Sequence, residues 1–179
     1  MSRSVAGVCL ALAGLISISC GSSAPAAPTP PPVPQLSGAW LGEQTLTSVT
    51  GAECLTPVLE GLIGVPSQFH ASFTQSGQSV TATLDADHTG ASCTYTGTID
   101  GNTLLLTTTG CSDSRLVGFH CTADAVRDVR VKSETVRATI NGDGSIGGTV
   151  TETDTIDVSG TATTVGTLVA NGSFTLARQ

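Results

Sequence analysis

The chain has 179 residues and a formal net charge of −7, with 12% charged and 3% aromatic residues. This length fits one ordinary domain with appendages. The acidic balance argues against nucleic-acid binding, which needs basic patches. The 39% of hydrophobic residues and the low charge argue against disorder.

Residues 1–19 have the organisation of a signal peptide. Arg3 supplies a short basic start, and the apolar run that follows it is too short to span a bilayer. The run ends in the sequence Ile16-Ser17-Ile18-Ser19-Cys20-Gly21. This segment resembles the lipobox of bacterial lipoproteins, in which an apolar run and a small residue precede a cysteine.

The lipobox resemblance implies that Cys20 carries a diacylglycerol and that the leader is cut after Ser19. Gly21, a residue other than Asp, implies export to the outer membrane in bacteria with two membranes. Ser17 stands where the family mostly has Leu, Val or Ile. Ordinary secretion with cleavage after Ala26 remains the alternative. The expected partner of the N-terminus is therefore a membrane, reached through the lipid on Cys20.

Residues 20–36 form a linker rich in Pro, Ser and Ala. Such sequences stay extended at about 3.1 Å per residue and serve as spacers. A domain over residues 37–179 follows the linker.

Four cysteines lie in this domain, at Cys54, Cys93, Cys111 and Cys121. Their even number in an exported chain predicts two disulfides, and their spacing lacks the ligand pairs of a zinc site. We expect no metal or other cofactor. A hairpin that sets Asp100 opposite Leu104 would place Cys93 opposite Cys111, which leaves Cys54 for Cys121.

Period-two alternation and glycine turns predict an all-β domain. Predicted strands cover residues 38–48, 67–75, 78–85, 92–99, 103–110, 125–140, 145–157 and 164–177. Short sequential connections favour an antiparallel up-and-down meander closed into a barrel of about eight strands, with a β-sandwich as the alternative. A short helix near residues 56–63 is expected to cover one end.

Ser37-Gly38-Ala39-Trp40 opens the first predicted strand. A Gly-x-Trp at this place resembles lipocalins, avidins and related ligand-binding barrels. In those families an arginine late in the last strand packs on the tryptophan and closes one end of the barrel. The resemblance therefore implies that Arg178 pairs with Trp40.

Up-and-down topology brings the first, third, fifth and seventh connections to one end of the barrel. We expect candidate rim or binding residues there: His70, His88, Arg115, His120, Glu152 and Asp154. Glu152 and Asp154 alternate along one strand, and a solvated acidic rim is the expected reading. The alternative is a carboxylate pair for glycoside chemistry, which needs a separation of about 5–9.5 Å.

No catalytic motif is present. We therefore expect a non-catalytic, monomeric envelope lipoprotein that is a binding or structural module, with a small apolar ligand or an envelope protein as its partner. An envelope enzyme, or an inhibitor of one, with a site at the long-loop end is the alternative.

Substituting Cys20→Ala tests the anchor. Cells fed a labelled lipid precursor should label the wild-type protein and leave the variant unlabelled, because the thioether forms on the Cys20 sulfur. Export of an unlabelled wild-type protein would contradict the prediction.

Overall fold

The computed structural model describes residues 32–51, 54–86, 92–112, 116–122 and 125–179. The residues of the predicted signal peptide and lipobox, including Cys20, lie outside this part of the chain. The described residues form one helix, α1 (Thr56–Glu60), and nine strands. The strands are β1 (Gly38–Thr50), β2 (Pro66–Ser76), β3 (Ser79–Ala86), β4 (Ser92–Asp100), β5 (Thr103–Cys111), β6 (Leu116–Thr122), β7 (Ala125–Ile140), β8 (Ile146–Val158) and β9 (Thr164–Arg178).

Eight of these strands close into an antiparallel up-and-down barrel, as the sequence predicts. Strands β1 to β5 pair in sequence, as do β7 to β9; β9 returns to β1, and β5 pairs with β7 over Thr103–Thr107 and Thr135–Thr139. This last ladder closes the sheet, so that the barrel strands have neighbours on both sides.

Strand β6 is the element that the sequence pattern does not predict. It lies in the connection between β5 and β7 and pairs only with the first part of β7, from Ala125 to Val129. Two register shifts interrupt this pairing. Because this ladder is irregular, it does not require a regular alternation of apolar and polar residues, and the sequence of residues 116–122 has none.

The two ends of the barrel differ in their connections. The turn end carries the tight connections β2–β3, β4–β5 and β7–β8, and the loop end carries the longer ones. Helix α1 belongs to the loop end, where its Leu59 and the preceding Leu55 are buried and pack with Val49, Ile156 and Leu168. The short helix predicted near residues 56–63 is therefore confirmed, and it covers the inner face of that end.

Aromatic rings fill the half of the barrel nearer the turn end. Phe69 and Phe174 meet edge to face with centroids 6.4 Å apart, and Trp40 meets Phe73 at 5.9 Å. Gly42 makes this possible, because a Cβ there would collide with the Phe69 ring. Only a void of about 20 Å³ remains among these rings.

Trp40 closes the turn end and is 2% exposed. It stands opposite Arg178 in the β1–β9 register, and the guanidinium carbon of Arg178 lies 5.1 Å from the centre of the indole ring. A cation over an indole contributes about 0.5–2 kcal/mol. The Trp40 Nε1 donates to the Leu36 carbonyl at 2.9 Å, so the indole is satisfied on its polar edge as well.

Residues Val33 to Leu36, assigned above to the linker, pack on this end of the barrel. Leu36 is 1% exposed and belongs to the core. Gln75 holds the segment from both sides: its Oε1 accepts from the Leu36 N–H at 2.7 Å and its Nε2 donates to the Pro34 carbonyl at 2.8 Å. We call Pro34–Leu36, held by Gln75, the N-terminal clasp.

The predicted disulfide between Cys93 and Cys111 is confirmed, with Cα atoms 4.0 Å apart. The register expected at its hairpin is wrong by one residue, because Asp100 pairs with Thr103 across a two-residue turn. A β-bulge at Thr109 adds one residue to β5 and restores the opposition of the two cysteines.

Cys54 is also disulfide-bonded. The side chain of its expected partner, Cys121, lies outside the described residues, so the pairing of these two stays a prediction.

Removing the Cys93–Cys111 bridge should destabilise the barrel by about 3 kcal/mol, since the bond closes a loop with a sequence separation of 18 residues. The variant is Cys93→Ala with Cys111→Ala, and urea unfolding followed by the emission of the single tryptophan measures the loss. Thr96→Ala with Thr107→Ala is the matched control, because these exposed residues face each other across the same two strands. The control should lose less than about 1 kcal/mol. Equal losses in the two double variants would contradict the prediction.

Candidate functional site

The loop-end half of the barrel holds a cavity of about 260 Å³. We call it the mouth cavity. Inner-face residues of β1, β8 and β9 line it, and residues of the connection after α1 cover it. Its principal wall residues are Gln44, Leu46, Val150, Glu152, Ala170 and Gly172, and its cover consists of Leu62 and Val65.

The inner face of β8 is identified by its neighbours. Val150 packs against the ring-filled core, and Ile156 belongs to the core beneath α1. Side chains alternate along a strand, so Glu152 and Asp154 point inward with them. Asp154 is 4% exposed and Glu152 is half-buried. The expected reading of a solvated acidic rim is therefore wrong, because this stretch of β8 forms part of the barrel wall.

Glu134 is a third carboxylate on the same inner surface. It stands opposite Glu152 in the β7–β8 register and is 6% exposed. Its backbone N–H donates to the Thr108 hydroxyl at 2.9 Å. The sequence contained a signal for Glu134, because it continues the alternation of Val136, Ala138 and Ile140, all of which are buried.

The cover of the mouth cavity is held in place by backbone hydrogen bonds. The Gly64 N–H donates to the Leu46 carbonyl at 3.0 Å, and the Val65 N–H donates to the Leu62 carbonyl at 3.1 Å. Leu62 and Val65 are 50% and 52% exposed, and Val58 and Ile63 beside them are also exposed. An apolar patch therefore surrounds the cavity at the loop end, and such patches on soluble surfaces mark interaction sites.

Gln44 marks the inner limit of the cavity. It lines both the mouth cavity and the small void among the aromatic rings. The mouth cavity therefore lies between the aromatic packing of the turn end and the core beneath α1.

A larger groove, of about 610 Å³, lies at the turn end between the N-terminal clasp and the β7–β8 turn. Its lining combines apolar residues of the closed barrel end, among them Trp40 and Ile140, with polar groups of the turn that already bond to one another. The Ser145 N–H and hydroxyl both donate to Asp143, at 2.9 and 2.7 Å, and these bonds lower the pKa of that carboxyl. We attribute this groove to the shape of the β7–β8 turn. The mouth cavity is therefore the candidate site.

The remaining predicted rim residues do not converge on the cavity. His70 lies on β2 as an exposed residue, with its Nδ1 3.4 Å from the Gln179 Nε2. His120 is exposed on β6. His88 and Arg115 lie outside the described residues. Within the described part of the chain, no group of three or more His, Cys, Asp or Glu residues is arranged to hold a metal ion.

Asp128 and Asp157 form a second acidic site, which the sequence reading missed. Both are buried and face each other between β7 and β8. Asp157 accepts from Arg130 Nε at 3.1 Å and from the Thr164 hydroxyl at 2.8 Å. Asp128 accepts from the Gly118 N–H at 3.1 Å and the Gly160 N–H at 3.3 Å. This site ties β6 and the β8–β9 turn to the barrel and is structural.

No protein-family model matches the chain, and no curated protein is detectably similar to it in sequence. None of the helices in the described ranges is long and apolar enough to cross a membrane.

Asp128 should make the stability of the protein depend on pH. The Gly118 N–H, followed by Ser159, Gly160 and Arg130, lowers the pKa of its carboxyl. Because the folded state has the lower pKa, ionised Asp128 stabilises the fold fully at pH values above the ordinary pKa near 3.9. This stabilisation is lost as the pH falls through the lowered pKa of the folded state. Asp128→Asn should therefore be less stable than the wild type at pH 6. The difference in the free energy of unfolding between the two proteins should be smaller at pH 3.

Urea midpoints at the two pH values measure this gap. Asp100→Asn, an exposed aspartate at the turn end, is the matched control. A gap between wild type and Asp128→Asn that is the same at pH 3 and pH 6 would contradict the prediction.

Proposed function

We propose that this protein is a lipid-anchored envelope protein whose barrel is a non-catalytic binding module for a small amphipathic molecule. The mouth cavity carries the proposal, since it is the place in the described lumen where apolar walls enclose space for a ligand. Ligand sites are typically concave and largely apolar, with a few polar groups that orient the ligand. The cavity combines Leu46, Val150 and Ala170 with Gln44 and Glu152 in that way.

The size of the cavity limits the ligand. Sites for drug-sized molecules usually measure about 300–1,000 Å³, and the mouth cavity measures about 260 Å³. A short aliphatic molecule, or one end of a longer chain that emerges beside Leu62 and Val65, fits this space. The exposed aliphatic patch around the opening favours the second arrangement, because it offers a surface to the emerging part.

The anchor is proposed from Cys20 and its setting in the sequence. A lipid on that residue, followed by the Pro-rich linker, would hold the barrel away from the envelope membrane. The membrane would then be a constant partner of the N-terminus, independent of what the cavity binds.

An envelope hydrolase remains a second candidate, because Glu152 and Asp154 share one inner face of β8. Acid–base chemistry on a glycoside requires two carboxyl groups that both reach the substrate. Asp154, however, is nearly inaccessible and is absent from the lining of the mouth cavity. We therefore favour binding over hydrolysis.

Filling the cavity should abolish binding without unfolding the barrel. Ala170→Phe places a ring among the wall residues, and n-hexanol is a probe small enough for the wild-type space. Saturable NMR shifts of Leu46, Val150 and Ala170 amides are expected in the wild type and should disappear in the variant. Ala39→Phe is the matched control, because Ala39 is exposed on β1.

The control protein should bind the probe as the wild type does. The proposal fails if n-hexanol produces no saturable shifts at the cavity of the wild type, or if Ala170→Phe binds it unchanged while remaining folded by circular dichroism.

A further inference from the structure

The mouth cavity also indicates the charge of its ligand. We infer that the ligand is an amphipathic cation, such as an aliphatic amine; this inference rests on the proposed function. The charged group of the ligand binds Glu152, and its apolar body lies beneath Leu62 and Val65. The inference depends on how polar and apolar groups are distributed over the cavity wall.

The polar side chains of the inner wall come from three strands. Gln44 and Glu152 come from the inner faces of β1 and β8, and Ser67 comes from the start of β2. The cover and the inner-face residues beside them are aliphatic, among them Leu46, Leu62 and Val65. A ligand that satisfies both kinds of side chain needs a hydrogen-bond donor at one end and an aliphatic body at the other.

Glu152 sets the sign of the charge. None of the described residues that line the cavity is Lys, Arg or His. Glu134 stands opposite Glu152 across the β7–β8 ladder, and Asp154 follows on the same face. In a site with low-dielectric walls, a carboxylate at Glu152 attracts cations and opposes anions.

Glu152 also interacts within the protein, and this does not prevent ligand binding. An ionised carboxylate offers about four acceptor positions, so a carboxylate with an internal partner keeps capacity for a ligand ammonium. Hydrogen bonds between charged partners are roughly twice as strong as neutral ones. An ammonium group would gain such a bond from Glu152, whereas an alcohol would gain a weaker one.

An anionic ligand, such as a fatty acid or a phosphate ester, would place its negative group against Glu152 or turn its apolar end inward. Neither arrangement gains a favourable charge contact, because none of the described residues that line the cavity is cationic. The same barrel shape would therefore accept an amine and reject a carboxylic acid of equal length.

Three probes of equal length test the inference on the full-length exported protein. n-Hexylammonium, n-hexanol and n-hexanoate are titrated at pH 7, and their dissociation constants are compared by NMR. We expect n-hexylammonium to bind about tenfold more tightly than n-hexanol, and n-hexanoate to bind more weakly than both. Glu152→Gln should bring the ammonium and the alcohol to equal affinity. Glu43→Gln is the matched control, since Glu43 is exposed on β1 beside Gln44, and it should keep the preference.

The outcomes separate the two proposals. If n-hexanol binds as tightly as n-hexylammonium, if n-hexanoate binds best, or if Glu152→Gln keeps the preference, the inference is overturned and the binding function stands. If none of the probes saturates, the proposed function itself is overturned. Should Glu152→Gln fail to fold, the order of the three affinities on the wild-type protein decides the question alone.

Discussion

The five-residue ladder between β5 and β7 is the constraint on which the rest of the structure depends. It turns a meander into a barrel by bringing Thr103–Thr107 against Thr135–Thr139 and leaving β6 aside. Once the sheet is closed, every strand has an inner and an outer face, and alternation decides which side chains share the lumen. Without this ladder, Glu152 and Gln44 would lie on one face of an open sheet and would enclose nothing.

The lumen created by closure is divided between two kinds of packing. Toward the turn end, Phe69, Phe73 and Phe174 fill the space that Gly42 leaves, and the interior there is dense, as protein cores are. Farther toward the loop end, the wall carries Ala170 and Gly172, whose small side chains leave volume unfilled beside the carboxyl group of Glu152. The cavity results from this change in composition along the strands. The core beneath α1 closes the interior beyond it.

Much of the barrel is predictable from the sequence, because alternation and glycine turns are local signals. The barrel class, the helix after residue 55 and the Cys93–Cys111 bridge follow from them. The one-residue error at Asp100 shows the limit of such reasoning: the turn and the bulge at Thr109 each shift the register, and only the folded sheet shows that the two shifts cancel.

The candidate site was harder to predict than the fold. The sequence predicts a solvated rim at Glu152 and Asp154, because carboxylates are usually exposed, whereas β8 continues past them with Ile156 buried beneath α1. The cover by Leu62 and Val65 depends on the hydrogen bond from Gly64 to Leu46, which joins residues that no sequence pattern connects.

The N-terminal clasp has a mechanical consequence. Any tension on the chain that precedes Val33 reaches the barrel through Gln75 and Leu36, and then through the Trp40 indole that bonds to Leu36. These contacts lie at the turn end, and the dense ring-filled half of the barrel separates them from the cavity. Thermal or flow-driven pulling on a tether would therefore be borne by the stiff end of the molecule, and the shape of the cavity would be insulated from it.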